Sequence, residues 1–237
     1  MNKDEFGKFL MQKAKENDIE LSKEMVSKFY LYMNNLIEWN EKINLTAIKN
    51  EKDIIIKHFI DSIVINEYAD GDRLLDIGSG AGFPGIPLKI INEKMEVDLV
   101  DAVNKKVNFM NDSIEKLNLK NIKAMHVRAE EMAHERKYRE SYDIVVSRAV
   151  ANMSTLVEYM LPFVKVGGRC LCLKGPSCEE EINVSKNAIR KLGGQISKVI
   201  EYKIEENERC LVVINKVINT EQTYPRKQGK PLKEPLL

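Results

Sequence analysis

Residues 74 to 88 read LLDIGSGAGFPGIPL. An apolar run ends in Asp76, Gly78, Gly80 and Gly82 then alternate, and a helical pattern starts near Phe83 and Pro84. Proline is favoured in the first turn of a helix. Glycine lets the backbone turn sharply and lets a ligand approach with no Cβ in the way. Three alternating glycines also cost local stability, so a purely structural turn is the weaker reading. In open α/β sheets, ligands bind at the carboxyl ends of strands where the strand order switches. The segment is therefore expected to be a ligand cradle at the end of a first strand.

The flanking pattern agrees. From Arg73 onward, short β-rich runs at 73–77, 97–101, 122–127, 142–147 and 168–174 alternate with helical stretches at 83–92, 105–117, about 129–136 and 153–164. Strands alternating with helices of this length imply a parallel sheet with right-handed crossovers, covered on both faces. A further helix at 179–192 precedes two strands, ISKVIEYKI and RCLVVINKV, joined through the polar turn EENE as a terminal hairpin-like pair. Residues 1–72 read as helical. Ser22 can cap a helix with Met25, Phe29, Met33, Leu36 and Ile37 along one side, and a turn with Asn44 and Thr46 leads to a second helix through IIIKHFIDSIVI. The last 18 residues hold three prolines and four basic residues and read as an extended arm. The expected organisation is a helical N-terminal lobe (1–72), a doubly wound α/β domain (73–219) and a basic C-terminal arm (220–237).

A dinucleotide fingerprint needs G-x-G-x-x-G straight after the strand. Counted from Gly78, the third position is Phe83; counted from Gly80 the pattern fits, but two residues late. Asp101 closes the second strand, where an acid can hold a ribose hydroxyl pair in either cofactor class. The D-x-G-x-G-x-G form, with Asp76 two residues before the first glycine, resembles the first motif of Rossmann-like S-adenosylmethionine (AdoMet) methyltransferases. Strand three ends at Arg128-Ala129-Glu130 and strand four at Ser147-Arg148-Ala149, facing the same crevice. There Glu130 or nearby backbone can meet an adenine edge, and Arg148 can hold a carboxylate such as that of a methionine moiety. RAEE also fits a plain charged helix start.

With 237 residues the chain is one large domain, or one with a small extension, and 43% hydrophobic with 31% charged residues is globular composition. The longest uncharged run, Ile77 to Leu88, is too short and too rich in glycine and proline for a membrane span, and the charged N-terminus is not a secretory signal. Cys170, Cys172, Cys178 and Cys210 are too few for a disulfide scaffold, so the cytoplasm is the expected compartment. Cys170 and Cys172 lie on one face of a strand and read as core rather than as a metal pair; no metal is expected. His58 and Asp61, three apart on a helix, read as a structural pair, and His126 and His134 lack any constellation. There is no D-P-P-Y strand end, no Pro-Cys nucleophile and no G-x-S-x-G elbow.

WNEKINLT (39–46), HFIDS (58–62), DIGSGAGFPGIPL (76–88), RAEE (128–131), SRAVA (147–151), LKG (173–175) and YPRKQGKPLKEPL (224–236) follow in order. By these motifs the chain resembles, nearly end to end, the RsmG family, also called glucose-inhibited division protein B. The resemblance implies a Rossmann-like AdoMet-dependent methyltransferase fold and methyl transfer to guanine N7 in the decoding-region loop of 16S ribosomal RNA. It implies the rRNA or the small ribosomal subunit as partner, no membrane, and a monomer. By position it implies Gly78, Gly80, Phe83, Asp101, Ala129, Glu130 and Arg148 as cofactor contacts, and Asn44, Lys174, Arg226 and Lys227 as residues that handle RNA. Relatives often end the second strand in Glu-Ser; here it is Asp101-Ala102.

Guanine N7 carries an in-plane lone pair in the neutral base, so no general base is expected and catalysis reduces to positioning. Because A-form RNA hides N7 in its deep groove, the target must be an open-loop base, with Phe83, Trp39 and Tyr224 as available stacking aromatics. The rival readings are an NAD(P) oxidoreductase, a small-molecule methyltransferase and a non-catalytic RNA-binding module. The net charge of +1 conceals a segregation: residues 1–72 hold 10 Lys against 14 acids, and the remainder holds 27 basic against 22 acidic residues. Phosphate contacts depend on local Lys and Arg, so the α/β region and the arm are the expected RNA-facing parts.

Overall fold

The structure is a computed structural model, and it describes every residue except Ala149, Ser177 and Leu237. The seven strands form one sheet of order β3-β2-β1-β4-β5-β7-β6. They are β1 (Arg73–Ile77), β2 (Glu96–Asp101), β3 (Ile122–His126), β4 (Tyr142–Arg148), β5 (Val164–Lys174), β6 (Gly194–Ile204) and β7 (Asn207–Lys216). The first five are parallel, and β7 runs antiparallel between β5 and β6. The expected terminal pair thus forms a true hairpin, turned by Glu205 and Glu206, with β7 inside and β6 at the edge. The order reverses between β1 and β4, which places the glycine loop at the switch point.

The helices are α1 (Lys3–Lys15), α2 (Lys23–Asn40), α3 (Glu51–Ile54), α4 (Asp61–Ile63), α5 (Gly85–Ile91), α6 (Asn104–Lys116), α7 (Ala129–Met132), α8 (Met153–Met160), α9 (Glu179–Lys191) and α10 (Lys230–Lys233). A π-helical stretch, Ile55–Ile60, joins α3 to α4 into one rod. Ser22 caps α2 as expected, its Oγ accepting from the Met25 N–H at 3.2 Å. Three helices are shorter than their apolar pattern. The one expected from 83 begins at Gly85, and the one expected to 136 stops at Met132, giving way to turns. The one expected over 153–164 ends at Met160, and a short 3-10 turn at Leu161–Phe163 leads into β5, which starts at Val164 rather than at 168.

Alternate residues along each strand divide between two cores. Leu74, Leu99, Val146, Leu171 and Val213 pack with α5, α6 and the N-terminal helices. Leu75, Val100, Val145, Cys172 and Val212 pack with α7, α8 and α9. The N-terminal lobe therefore shares a core with the sheet: Phe29, Tyr32, Phe59 and Phe109 are fully buried in it. Aromatic contacts hold α2 there: Tyr32 stacks on Phe59 at 5.5 Å and meets Phe83 at a tilt at 5.4 Å, ring centre to ring centre.

Two expectations need correction. The segment from 220 on is folded down, not extended. Thr220, Tyr224, Pro225 and Pro231 are buried, and the Arg139 guanidinium donates to the carbonyls of Thr220, Glu221 and Tyr224. Its centre is Arg226, whose backbone N–H, Nε and Nη2 all donate to the carboxylate of Glu158, a side chain on α8 with no exposure. A carboxylate sealed inside a protein needs such a partner, and this one sits 68 residues along the chain. Second, Cys178 and Cys210 form a disulfide between the start of α9 and β7, while Cys170 and Cys172 stay as buried free thiols.

Removing one partner of a buried ion pair typically costs about 3–5 kcal/mol. Arg226→Ala should lose about that much in urea denaturation at neutral pH, whereas Lys227→Ala, whose side chain is exposed, should stay within about 0.5 kcal/mol of wild type.

Candidate functional site

The loop after β1 is built from its own amides. The N–H groups of Gly78 and Ser79 donate to the Val100 carbonyl of β2, and those of Gly82 and Phe83 fold back to the Ser79 carbonyl. The Gly80 N–H donates to Asp101 Oδ2 at 3.0 Å, so the acid that closes β2 ties the two strand ends together. Gly78 has φ +68°, and a Cβ there would stand 2.5 Å from Val150 Cγ2. Gly80 has φ +61°, yet nothing lies closer than 3.9 Å to its would-be Cβ. The first glycine thus admits the strand-four loop, and the second faces open space. Tyr32 Oη of α2 donates to the Ala81 carbonyl and fixes the far side of the loop.

That open space is a cleft of about 500 Å³ at the carboxyl ends of β1, β2 and β4, with Gly78, Gly80, Phe83, Asp101, Ala129, Glu130 and Arg148 all on its wall. The structure therefore brings together every residue expected around a cofactor. Burial raises the Asp76 carboxyl to about 7, opposed by the Gly85 N–H at 2.8 Å and by Arg148; its Oδ1 is buried with no partner.

Phe83 is the hub of the inner wall. The His58 ring stacks on it at 4.5 Å with the planes 14° apart, and the Arg148 guanidinium lies 5.0 Å from its centre. Arg148 Nη2 donates to His58 Nδ1 at 3.1 Å, so that nitrogen is the acceptor and Nε2–H donates to Thr46 Oγ1 at 2.9 Å. Burial, aided by the Arg148 charge, pushes the His58 pKa down to about 3, and the imidazole is neutral at physiological pH. Arg148 Nη1 donates to the Lys57 carbonyl at 3.2 Å and to Asp61 Oδ2 at 3.0 Å. The expected His58–Asp61 pair therefore meets through Arg148. The arginine that was expected to grip a ligand carboxylate has spent most of its fork on the protein, leaving Nε and one Nη2 N–H.

The expected RNA-handling residues scatter. Asn44 and Lys227 are exposed. Lys174 is sequestered, donating to the Ala151 carbonyl at 2.6 Å and to Glu181 at 2.7 Å. Arg226 is the tail clamp, its Nε and Nη2 donating to the buried carboxylate of Glu158. Glu130 also meets the tail, accepting from the Gly229 N–H at 3.2 Å. Of the stacking aromatics, Trp39 is turned toward Asp112, Tyr224 is buried in the tail contact and Phe83 is covered by His58. Ala149, expected at the end of strand four, lies outside the described residues.

Several participants were missed. Asn40, not Asn44, shapes the turn that carries Thr46: its Oδ1 accepts from the Leu45 and Thr46 N–H groups and its Nδ2 donates to the Thr46 carbonyl. It stands in the same WNEKINLT motif, so the motif pointed to the place and not to the residue. Arg209, at the outer end of β7, donates to Asp61 Oδ1 at 3.2 Å, and no local signal marks it. Among the described residues no group of three His, Cys, Asp or Glu could hold a metal, and no helix is long and apolar enough to cross a membrane.

The model of the family "rRNA small subunit methyltransferase G" matches residues 25–212. The ribosomal RNA small subunit methyltransferase G of Clostridium botulinum (strain Alaska E43 / Type E3) is 50% identical, covering 98% of this chain and 99% of that protein. The protein of the same name from Acetivibrio thermocellus is 47% identical over 97% and 96%. Among solved structures, the magnesium protoporphyrin IX methyltransferase of Synechocystis, with bound SAM, superposes with a TM-score of 0.56 at 17% identity, over 82% of this chain and 98% of that one. A SAM-dependent methyltransferase from Aquifex aeolicus gives 0.54 at 19% identity, over 72% and 96%. These two bear on the fold, which is the Rossmann-like methyltransferase arrangement expected from the sequence.

Asp76 yields a pH prediction. Its folded pKa lies above the unfolded value of 3.8, so between about pH 4 and 7 the folded state holds a proton that the unfolded state has released. That contribution to stability is present at low pH and is lost as pH rises through 7. Asp76→Asn cannot titrate, so in urea denaturation from pH 4 to 8 the variant should gain stability relative to wild type, by on the order of a few kcal/mol in total. A constant difference would refute the protonated carboxyl.

Proposed function

This chain belongs to the rRNA small subunit methyltransferase G family, and on that premise we propose that it transfers a methyl group from AdoMet to N7 of a guanine in the decoding-region loop of 16S rRNA. The single observation that carries the reading is the cleft at the switch point, where a glycine with open space before it faces an acid at the end of β2 and a short acid-bearing helix start at the end of β3. The residues fit the cofactor. Gly80 leaves room that a Cβ would fill. Asp101 keeps lone pairs for a ribose hydroxyl although it already accepts from Gly80 and Val103. Ala129 and Glu130 stand where an adenine edge would lie, and AdoMet would bring an activated methyl on a sulfonium. The insertion of antiparallel β7 between β5 and β6 departs from the all-parallel dinucleotide order 3-2-1-4-5-6, which disfavours the NAD(P) reading.

The chain's own contribution is positioning. N7 needs no deprotonation, and His58, held neutral, is neither a charged acid nor a competitor for the positive charge that passes through the site. Arg148 shares the Asp61 carboxylate with Arg209, which fixes its guanidinium on the wall of the cleft. The Phe83 and His58 rings exclude water from the inner wall. The target is an rRNA, the enzyme works as a monomer, and it acts in the cytoplasm.

The direct test is transfer of labelled methyl from AdoMet to small subunits or 16S rRNA of a strain lacking the gene, followed by cleavage at N7-methylguanine. One labelled guanine is expected; no label on rRNA, subunits or precursors refutes the activity. By calorimetry, Gly80→Val should weaken AdoMet binding about tenfold or more, since a side chain at positive φ fills the cradle. Unchanged affinity would displace the cofactor from this loop.

A further inference from the structure

Beside the cofactor cleft lies a second one of about 670 Å³, and His58, Arg148 and Val150 line both. Its wall carries four cations (Lys57, Arg148, Lys174, Arg209) against two carboxylates (Asp61, Glu181). Asp61 is 3% exposed and bridges two guanidinium groups from different strands, Arg148 of β4 and Arg209 of β7. Arg209 uses Nε for Asp61 and one Nη1 N–H for the Glu208 carbonyl, which leaves its Nη2 pair uncommitted. Arg148 keeps Nε and one Nη2 N–H. Ile48 and the half-exposed Val150 supply apolar surface. Lys57 lines this cleft and, among the described residues, pairs with Asp53 at 3.1 Å.

We propose that this second cleft receives the guanine nucleotide to be methylated, and that the Arg148–Asp61–Arg209 bridge is its specificity element, with Arg209 as a base-reading residue and Lys57 as a phosphate contact. The inference rests on the methyl-transfer reading above. Its argument is chemical. A purine whose N7 points at the first cleft must sit across the wall that the two clefts share. On that edge the neighbour of N7 is position 6, which is an acceptor in guanine (O6) and a donor in adenine (N6). A wall of arginine N–H groups satisfies O6 and leaves an adenine amino group facing donors. Asp61 makes this workable: it holds both guanidinium groups in place and offsets their charge, so donors can stand near a base that becomes cationic on methylation. As a positioning residue, Asp61 touches neither base nor cofactor.

The test is steady-state kinetics on small subunits lacking the methyl group, comparing wild type with Arg209→Gln and Lys57→Gln. Neither variant leaves Asp61 unpaired, since Arg148 remains. Loss of a charged hydrogen bond should raise KM for the subunit, or lower kcat/KM, about tenfold or more, with AdoMet affinity by calorimetry unchanged in both variants and the thermal midpoint unchanged in Lys57→Gln. Guanosine 5′-monophosphate should also inhibit wild type at a concentration roughly tenfold below adenosine 5′-monophosphate, a preference that Arg209→Gln loses. Wild-type transfer with both variants unaltered, or a matching loss of AdoMet affinity, overturns the assignment while leaving the methyl-transfer reading intact. Equal inhibition by the two nucleotides overturns the base-reading role. Absence of transfer by wild type overturns the reading itself, and this inference with it.

Discussion

A carboxylate removed from water must take up a proton, as Asp76 does, or be answered by a positive charge, and Asp61 is where the second requirement organises the molecule. It sits on the rod that closes the N-terminal lobe, and the two arginines that answer it come from the middle and the far side of the sheet. Leaving such a charge unpaired costs several kcal/mol, so the lobe has one acceptable way to dock. That docking brings His58 over Phe83, presents Thr46 to His58 and fixes where the two clefts meet. The lobe is thus a wall of both clefts, held by the same pairing that sets the charge balance where they meet.

The electrostatics suit a reaction that relocates a positive charge without creating one. Transfer from a sulfonium to a ring nitrogen leaves the total unchanged, so the step needs no acid or base to supply or remove a charge. What the chain offers is a neutral imidazole, a phenyl face and a guanidinium already offset by a carboxylate. Activity then depends on alignment and on exclusion of water.

The parts of this arrangement legible in the sequence are those written in neighbouring residues. Strand periodicity located β1 to β4 to within about one residue at each end, and the glycine pattern placed the cradle, because both signals are local. The functional pairings are not local. Arg226 looked like an RNA contact because a basic residue beside proline in a tail is exposed by default; its partner, Glu158, hides within an ordinary apolar helix. Arg209 carries no motif and acquires meaning only when β7 is laid beside β5. Asn40 and Asn44 share one motif, and only the geometry of the turn separates the residue that builds it from the one that faces solvent. Arg148 was placed correctly in the crevice, but the groups that occupy its fork lie about 90 residues earlier.

The clamp between Arg226 and Glu158 has a consequence for how the chain comes into being. Helix α8 precedes the segment that satisfies it by 68 residues, so a chain with its sheet formed but without the tail has a Glu158 carboxylate lacking its donors and lacks the backbone that meets Glu130. Folding of the cleft wall is then completed late, by residues that take no part in the sheet. A polypeptide that stops short of Arg226 holds every strand and the whole glycine loop, yet lacks the donors that answer Glu158 and the N–H that meets Glu130.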